Sequence, residues 1–252
     1  MTPGSYNDAA ANRYATIESR PDSFANKMAP RILRTIDTTQ SSDMRVLDIG
    51  SGTGQLLDVL RAAGMYTVGV DYSLPMLQRR TSQLSESLGD ALCADSAQLP
   101  LHGPFDLVTA TFNVLNHLRD LESVESTIQE VARVLDHDGL FIFDINTRLG
   151  LEGTESLTAI EDSNESFTHW RRHWHEPDVL RLEASGGFLD GDQWHRYHEV
   201  IDKIVIDVSW LQGKLAEAGL GQCTWVSDDL LTPLVDPERH TTAFALVRRT
   251  ST

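Results

Sequence analysis

The sequence has few cysteines, and this shortage limits where the protein works. Cys93 and Cys223 are the only two cysteines among 252 residues, which is too few for the disulfide framework of a small secreted domain. Cys93 lies in a short apolar segment that we expect to form a buried strand. We therefore expect a reduced, cytoplasmic setting.

The sequence also lacks long apolar runs. Its composition is 40% hydrophobic and 23% charged, which is typical of a globular protein. No stretch approaches the roughly 20 apolar residues that a membrane helix needs, and residues 1–8 do not have the features of a signal peptide. We expect no membrane association.

Positive charge is scarce as well. The chain has 21 Lys and Arg residues against 37 Asp and Glu residues, a net charge of −16. Proteins that bind nucleic acids neutralise phosphates with clustered Lys and Arg, so this balance argues against DNA and RNA as partners. It is compatible with a neutral or cationic small molecule.

The most informative segment covers residues 45–56 and reads RVLDIGSGTGQL. An apolar run ends in alternating glycines, and a helical pattern of apolar residues follows directly. This order predicts a buried parallel strand, a glycine-lined turn and a helix whose N-terminus points at the turn. Glycines are needed there because a bound nucleoside must approach the backbone more closely than a Cβ atom allows. The alternative is a structural turn without a ligand.

Three further segments end in residues that suit the same ligand. Residues 66–70 form a β-rich run that is followed by Asp71, 17 residues after Gly54, where a carboxylate can accept both ribose hydroxyls. Asp95 and Ser96 follow a third short run, where they can read the amino edge of an adenine. Residues 105–113 form a fourth run whose end, at Phe112 and Asn113, should open over the same site.

Together these segments resemble the class I S-adenosylmethionine-dependent methyltransferases over residues 40–147. The resemblance implies an α/β fold, with a Rossmann-like seven-stranded class I methyltransferase sheet and an inserted antiparallel β subdomain. It also implies S-adenosyl-L-methionine as the cofactor. The cofactor-binding residues that it implies lie at the strand ends: Asp48, Gly50, Gly52, Gly54, Asp71, Tyr72, Met76, Asp95, Ser96 and Phe112.

The spacing of the glycines separates this cofactor from a dinucleotide. A dinucleotide site needs Gly-x-Gly-x-x-Gly to seat a pyrophosphate on the helix N-terminus, whereas Gly50, Gly52 and Gly54 alternate here. Asp48 precedes them and would repel a pyrophosphate. A cofactor that carries an ammonium and a sulfonium tolerates acids nearby.

The periodicity of the chain predicts four parts. Residues 1–40 predict two helices that form a lid over the cofactor, and residues 41–147 alternate between strands and helices, which predicts a parallel sheet with both faces covered. Residues 148–165 are polar and predict a loop, and the period of two that follows to residue 206 predicts three or four inserted antiparallel strands. Residues 207–252 complete the core with a helix and an antiparallel strand pair.

Two residues are candidates for catalysis. His117 follows the fourth strand at the expected start of a helix, and this segment resembles the amino-sugar N-methyltransferases, whose motif also carries a histidine followed by leucine. Histidine titrates near neutral pH and suits a general base; the alternative is that His117 caps or packs the helix. Tyr14 lies in a segment, residues 6–14, that is similar to the N-terminal segment of small-molecule methyltransferases, and it either closes over the methyl donor or packs on the core.

The insertion is rich in tryptophan and histidine. On a strand, His169, Arg171, His173 and His175 face one way, and Trp170, Arg172 and Trp174 face the other. Three histidines on one face suggest a metal, but Arg171 shares that face and would repel a cation. We expect instead that Trp170, His173 and Trp174 bind the acceptor, together with Asn113, or line a homodimer interface.

These inferences predict a methyltransferase that acts on a small-molecule acceptor, with an amine nitrogen as the leading acceptor atom. The alternatives are an O-methyltransferase for a hydroxyl or carboxylate, and a methyltransferase-like binding module without turnover. Asp144 and Asn146 could in principle join a divalent ion, as in catechol-type O-methyltransferases. We identify no further carboxylate beside them, so we expect no metal.

Overall fold

The computed structural model describes residues 8–18, 23–36, 43–79, 91–153, 159–162, 164 and 166–249. The helices are α1 (Asp8–Glu18), α2 (Phe24–Thr35), α3 (Gln55–Ala62), α4 (Leu74–Gln78), α5 (Leu121–Val134), α6 (Arg148–Glu152) and α7 (Val208–Glu217). The strands are β1 (Arg45–Ile49), β2 (Tyr66–Asp71), β3 (Ala91–Cys93), β4 (Phe105–Ala110), β5 (Leu135–Asn146), β6 (Ala159–Asp162), β7 (Ser166–Glu176), β8 (Val179–Asp190), β9 (Gln193–Ile204), β10 (Thr224–Val226) and β11 (Thr242–Arg248). Tyr6 and Asn7, which begin the N-terminal segment singled out in the sequence, lie outside the described residues.

Seven strands form the central sheet, in the order β10-β11-β5-β4-β1-β2-β3. Strands β1 to β5 pair in parallel, and β11 runs antiparallel to both β5 and β10. The strand order reverses beside β1, so the ends of β1, β2 and β4 open onto one crevice, where α/β sheets bind their ligands. The predicted fold class and the closing antiparallel pair are confirmed.

The turn between β1 and α3 forms because glycine tolerates a positive φ. Gly50, Gly52 and Gly54 have φ of 70°, 56° and 86°, a left-handed region that side chains with a Cβ atom rarely adopt. Gly54 is the N-cap of α3. The helix then buries Leu57 and Leu60 against the sheet, which anchors the turn at the end of β1.

The connection between α5 and β5 differs from what its sequence favours. The polar run of residues 136–139, with Gly139 at its end, predicts a turn, but β5 starts at Leu135, directly after α5. The residues in question form an irregularity inside the strand, because the pairing with β4 shifts between Phe105 and Leu107 and Asp138 adopts a φ of 65°. A bulge absorbs the extra residues without ending the strand.

Four antiparallel strands form the inserted sheet, in the order β6-β7-β8-β9. The prediction of a loop over residues 148–165 is wrong in part, because α6 and β6 lie within that range. Trp170, Ala184 and Tyr197 form a small buried cluster on one face of this sheet. The sheet therefore has a core of its own.

The N-terminal helices cover the crevice at the end of the central sheet. Helix α2 packs on α3, and α1 packs on α4 and β9. Within the described ranges, every helix is too short or too polar to span a lipid bilayer.

The two cysteines lie in different environments. Cys93 is exposed, so the expectation that it is buried is wrong; β3 is an edge strand, and only one of its sides is paired. Cys223 is buried, and burial raises the pKa of its thiol to about 12. A thiol with so high a pKa is not a nucleophile at neutral pH.

Candidate active site

A cavity lies at the ends of β1, β2 and β4, beneath α1 and α2. The cavity and its mouth enclose about 750 Å³. Eight of the lining residues were predicted from the sequence: Tyr14, Asp48, Gly50, Gly52, Asp71, Met76, Phe112 and His117. The others were not singled out: Phe24, Ala25, Ser51, Thr53, Gln55, Leu56, Thr111 and Val114.

A second pocket of about 560 Å³ adjoins the first. The two pockets share Gly50, Asp71 and Val114, and Tyr72, Asp95 and Ser96 line the second one. The two together form an elongated site that runs across the ends of the strands. All the predicted cofactor residues except Gly54 line one pocket or both, and Gly54 caps α3 behind the turn.

The turn packs closely against the segment after β4 because Gly50 has no Cβ atom. A Cβ atom on Gly50 would lie 2.4 Å from Cγ2 of Val114, far inside van der Waals contact. The amide of Gly50 donates to the carbonyl of Val70 at 2.7 Å, which fixes the turn against β2. The backbone at Gly50 thus forms part of the cavity wall.

Asp71 connects the glycine turn with the end of β2. Its carboxylate accepts from the amide of Gly52 at 2.9 Å and from the amide of Ser73 at 2.7 Å. Burial raises the pKa of this carboxyl to about 6, although the two hydrogen bonds lower it. A carboxylate has about four lone-pair sites, so it can hold the turn and still accept from a ligand.

Asp48 is the second buried acid of the cavity. The hydroxyl of Thr109 donates to its carboxylate at 2.7 Å. Burial raises the pKa of Asp48 to about 7, Thr109 opposes that rise, and the charge of Asp71 adds to it. Two adjacent buried acids favour a cationic ligand, because a positive charge would stabilise their ionised forms.

Asp95 and Ser96 lie at the start of a short 3₁₀ helix after β3. Asp95 is exposed, and its Oδ1 accepts from the amide of Ala97 at 2.9 Å. Ser96 is buried, and its hydroxyl is 2.9 Å from that of Thr127 on α5. The structure thus places both residues in the second pocket, with Asp95 on the solvent side.

Three aromatic rings meet at the mouth of the cavity. The Phe112 ring lies 4.6 Å from that of Phe24 and 5.8 Å from that of Tyr14, measured between centroids. Phe112 is 43% exposed, so part of its ring remains open to a ligand. Phe24 could not be singled out from the sequence, because an aromatic residue at the start of an amphipathic helix is ordinary packing.

The segment after β4 has an unusual backbone. Phe112 and Asn113 have φ of 70° and 60°, which costs energy in residues with a side chain. Asp144 holds them, because its carboxylate accepts from the amide of Phe112 at 2.6 Å, from the amide of Asn113 at 3.1 Å and from the side-chain amide of Asn113. Burial raises the pKa of Asp144 to about 6, and these hydrogen bonds oppose the rise.

A lysine of the inserted sheet reaches this segment. Lys203 Nζ donates to Oδ1 of Asn146 at 2.8 Å and to Oδ1 of Asn113 at 3.2 Å. Burial lowers the pKa of Lys203 to about 8, while the charge of Asp144 raises it. The ammonium is therefore mostly charged at neutral pH. The sequence analysis missed Lys203, although it is the only lysine in residues 148–206.

His117 ends a short 3₁₀ helix, Val114–His117, and lines the cavity. The expectation that it starts a helix is wrong, because α5 begins only at Leu121. Burial lowers the pKa of its imidazole well below the usual value, and the charge of Lys203 lowers it further. His117 is therefore neutral at neutral pH and can accept a hydrogen bond.

The tryptophans and histidines of β7 lie away from the cavity. Trp170 packs in the small cluster of the inserted sheet, with the guanidinium of Arg172 5.7 Å from its ring centroid. The Trp174 ring centroid lies 5.9 Å from the guanidinium of Arg148, and His173 Nε2 lies 4.0 Å from Glu183. None of Trp170, His173 and Trp174 lines the cavity, so their role in acceptor binding stays a prediction.

No group of three His, Cys, Asp or Glu side chains among the described residues is placed to hold a metal ion.

Comparison with known proteins places the chain in a family. Residues 47–143 match the methyltransferase domain family. A malonyl-[acyl-carrier protein] O-methyltransferase of Laribacter hongkongensis is 30% identical over 245 residues, which cover 88% of this chain and 80% of that protein.

Solved structures share the whole fold. An S-adenosylmethionine-dependent methyltransferase from Clostridium acetobutylicum has a TM-score of 0.82 at 23% identity, covering 95% of this chain and 99% of that one. The sugar N-methyltransferase KedS8 from a Streptoalloteichus species has a TM-score of 0.72 at 20% identity, covering 94% and 93%.

The fold and the site thus define a class I methyltransferase. The chain belongs to the S-adenosylmethionine-dependent methyltransferases, so the predicted family, enzyme class and cofactor are confirmed.

Proposed function

We propose that this methyltransferase acts on a small molecule and that the acceptor atom is an amine nitrogen. The observation that carries the proposal is the charge of the cavity. Its described lining contains two carboxylates, Asp48 and Asp71, and neither lysine nor arginine; the arginine of the adjoining pocket, Arg119, pairs with Asp120. An anionic acceptor would enter without a counter-charge, whereas a neutral or cationic amine would not be repelled.

The buried acids and the open glycine turn also fit the cofactor. Asp71 would accept from the ribose hydroxyls, and Asp95 with Ser96 would face the adenine in the second pocket. Tyr14, together with the Phe112 and Phe24 rings, would pack near the sulfonium, which the negative face of an aromatic ring attracts. Tyr72 and Met76 line the walls on the β2 side.

S-adenosylmethionine, when bound, supplies an electrophilic methyl group on its sulfonium. In the overall transfer a nitrogen–carbon bond forms, the carbon–sulfur bond breaks with its electron pair left on sulfur, and the nitrogen releases one proton. The protein contributes mainly by aligning the reacting atoms. His117, which is neutral, would accept a hydrogen bond from the amine and direct its lone pair at the methyl group. Its lowered pKa favours this orienting role over removal of a proton from an ammonium.

O-methylation is the second candidate, because a relative with 30% identity is an O-methyltransferase. A carboxylate acceptor needs no base, but it would be expected to meet a cation, and the described cavity lining offers none. A hydroxyl acceptor needs a base stronger than an imidazole with a lowered pKa. These two points favour the amine.

A matched panel of acceptors tests the proposal. The purified enzyme would be incubated with methyl-labelled S-adenosylmethionine and sugars that differ at one position only, carrying an amine, a hydroxyl or a carboxylate. We expect label on the amine, with the attachment site read by mass spectrometry. Asp71→Ala should label it at least roughly fivefold more slowly at a cofactor concentration near the wild-type Kd, because a roughly tenfold weaker affinity lowers the cofactor occupancy by about that factor. Transfer to the hydroxyl or the carboxylate alone would contradict the amine proposal.

The inserted strands are the proposed acceptor side of the site. We propose that the chain divides into a lid (1–40), a cofactor core (41–147), an insertion (148–206) and a C-terminal core segment (207–252). We further propose a cytoplasmic location and a homodimer that forms through the insertion. Trp174→Ala tests this role, because Trp174 lies outside the small buried cluster. Weaker acceptor binding or dissociation of a dimer, with unchanged cofactor affinity, would support it; a loss of cofactor affinity in the folded variant would contradict it.

A further inference from the structure

A buried polar network joins the inserted sheet to the segment after β4. Lys203 lies at the end of β9, and its ammonium donates to the side chains of Asn113 and Asn146. Asn113 follows β4 and Asn146 ends β5, so one ammonium connects three separate elements.

The same network holds a strained backbone. The left-handed pair of Phe112 and Asn113 persists because Asp144 accepts from both of their amides. The side-chain oxygen of Asn113 accepts from Lys203, and the side-chain nitrogen of Asn113 donates to Asp144. Asn113 is therefore fixed between an acid of the core and a cation of the insertion.

Asn116 fixes the other end of the segment. Its side-chain amide donates to the carbonyls of Asn146 at 3.0 Å and Ile204 at 2.9 Å, and its Oδ1 accepts from the amide of Asn146 at 2.8 Å. Ile204 is the residue after Lys203 on β9. Asn113 and Asn116, which flank the stretch that leads to His117, thus both form hydrogen bonds with β5 and β9.

We propose that Lys203 is a positioning residue for methyl transfer, which acts through Asn113 and Asn146 to fix residues 112–117 at the cavity. Lys203 does not line the cavity itself, so it acts through other residues and not by touching the reactants. The proposal rests on the proposed function, because it takes Phe112 and His117 to face the methyl group and the acceptor.

The charges around Lys203 explain why the position needs a cation. Asp144 on β5 attracts the ammonium, while Arg172 on β7 repels it, and its charge in turn acts on His117. Without the ammonium, Asp144 would keep a buried charge with no cation to offset it, which is costly. The segment that Asp144 holds would then be less firmly placed.

Three variants test the proposal. Lys203→Met removes the charge and keeps much of the volume, Lys203→Arg keeps the charge, and Lys214→Met is the control, because Lys214 on α7 pairs with Glu125 and Glu217 away from the cavity. With whichever acceptor the enzyme methylates, we expect Lys203→Met to lower kcat by about tenfold or more while the cofactor Kd changes by less than about threefold. Lys203→Arg should recover most of the loss, and Lys214→Met should match the wild type.

A second measurement needs no acceptor. Hydrogen exchange followed by mass spectrometry reports the protection of amides in residues 112–117, and we expect faster exchange there in Lys203→Met but not in residues 45–71. A double variant with Asn113→Ala should lose less activity than the product of the two single losses, since the two side chains share one contact.

The outcomes separate this proposal from the amine proposal. Transfer to a hydroxyl would overturn the proposal of an amine acceptor. The kcat values of the Lys203 variants would then be compared with the hydroxyl compound as the acceptor. Unchanged kcat in Lys203→Met, or failure of Lys203→Arg to recover kcat in a folded protein, would overturn the role of Lys203. If no acceptor in the panel reacts, unchanged exchange in residues 112–117 would overturn it as well.

Discussion

The two buried acids of the cavity make cofactor affinity depend on pH. The pKa of Asp48 is raised to about 7 and that of Asp71 to about 6 in the unliganded protein. A ligand with an ammonium and a sulfonium binds better to the ionised carboxyls, so binding should release protons. The cofactor affinity should therefore rise as the pH rises through these pKa values and should fall in acid.

The raised pKa values set the size of the effect. Protonated Asp48 must lose its proton before its charge favours the ligand. This cost weakens binding on the order of tenfold at about pH 6, below the pKa, and very little at about pH 7.5, above it. Asp71 adds about a twofold difference over the same range. Affinity should therefore increase on the order of tenfold from about pH 6 to about pH 7.5, equivalent to roughly 1–2 kcal/mol.

Titration calorimetry with S-adenosylmethionine measures this change, and buffers of different ionisation enthalpy report the protons released. Asp48→Asn is the matched control, because the asparagine oxygen can still accept from Thr109 while the side chain no longer titrates. In that variant only about a twofold change should remain, from Asp71. Equal affinity at both pH values in the wild type, or an undiminished change in Asp48→Asn, would refute the reasoning.

Further variants address the turn, the ribose site and the acceptor site. Asp71→Ala should weaken cofactor binding by about tenfold or more in calorimetry, because each charge-assisted hydrogen bond contributes about 1.5–3 kcal/mol; wild-type affinity would defeat this assignment. His117→Ala should lower turnover by about a hundredfold if His117 is the base, whereas His117→Asn should keep substantial rate if it only orients the acceptor. Unaltered kinetics in His117→Ala would make the residue structural and Tyr14 the next candidate. Gly50→Ala should lose cofactor binding and about 1–2 kcal/mol of stability in denaturant unfolding, while Gly213→Ala on α7, where a Cβ meets nothing within 4 Å, should not destabilise the protein.

The sequence was sufficient for the residues at the ends of the parallel strands. Asp48, Asp71 and Asp95 each follow a short apolar run, and the ends of parallel strands meet at one edge of a sheet. Local patterns were less reliable where tertiary context decides the outcome. Cys93 follows apolar neighbours but lies on an edge strand. Residues 136–139 have the composition of a turn but form an irregularity inside β5, because Leu135 and Leu140 on either side of them pair with β4.

Lys203 could not be found from the sequence, because its position depends on the register of the inserted sheet. Lys203 pairs with Leu180, and its neighbour Asp202 pairs with Arg181 on the opposite face. Asp202 and Arg181 form a bidentate ion pair with both N–O distances at 2.7 Å. A slip of one residue would break this pair and turn Lys203 away from Asn113. The ion pair therefore helps to set which side chain of β9 faces the segment after β4. The contact between Lys203 and Asn113, which are 90 positions apart in the chain, depends on that register.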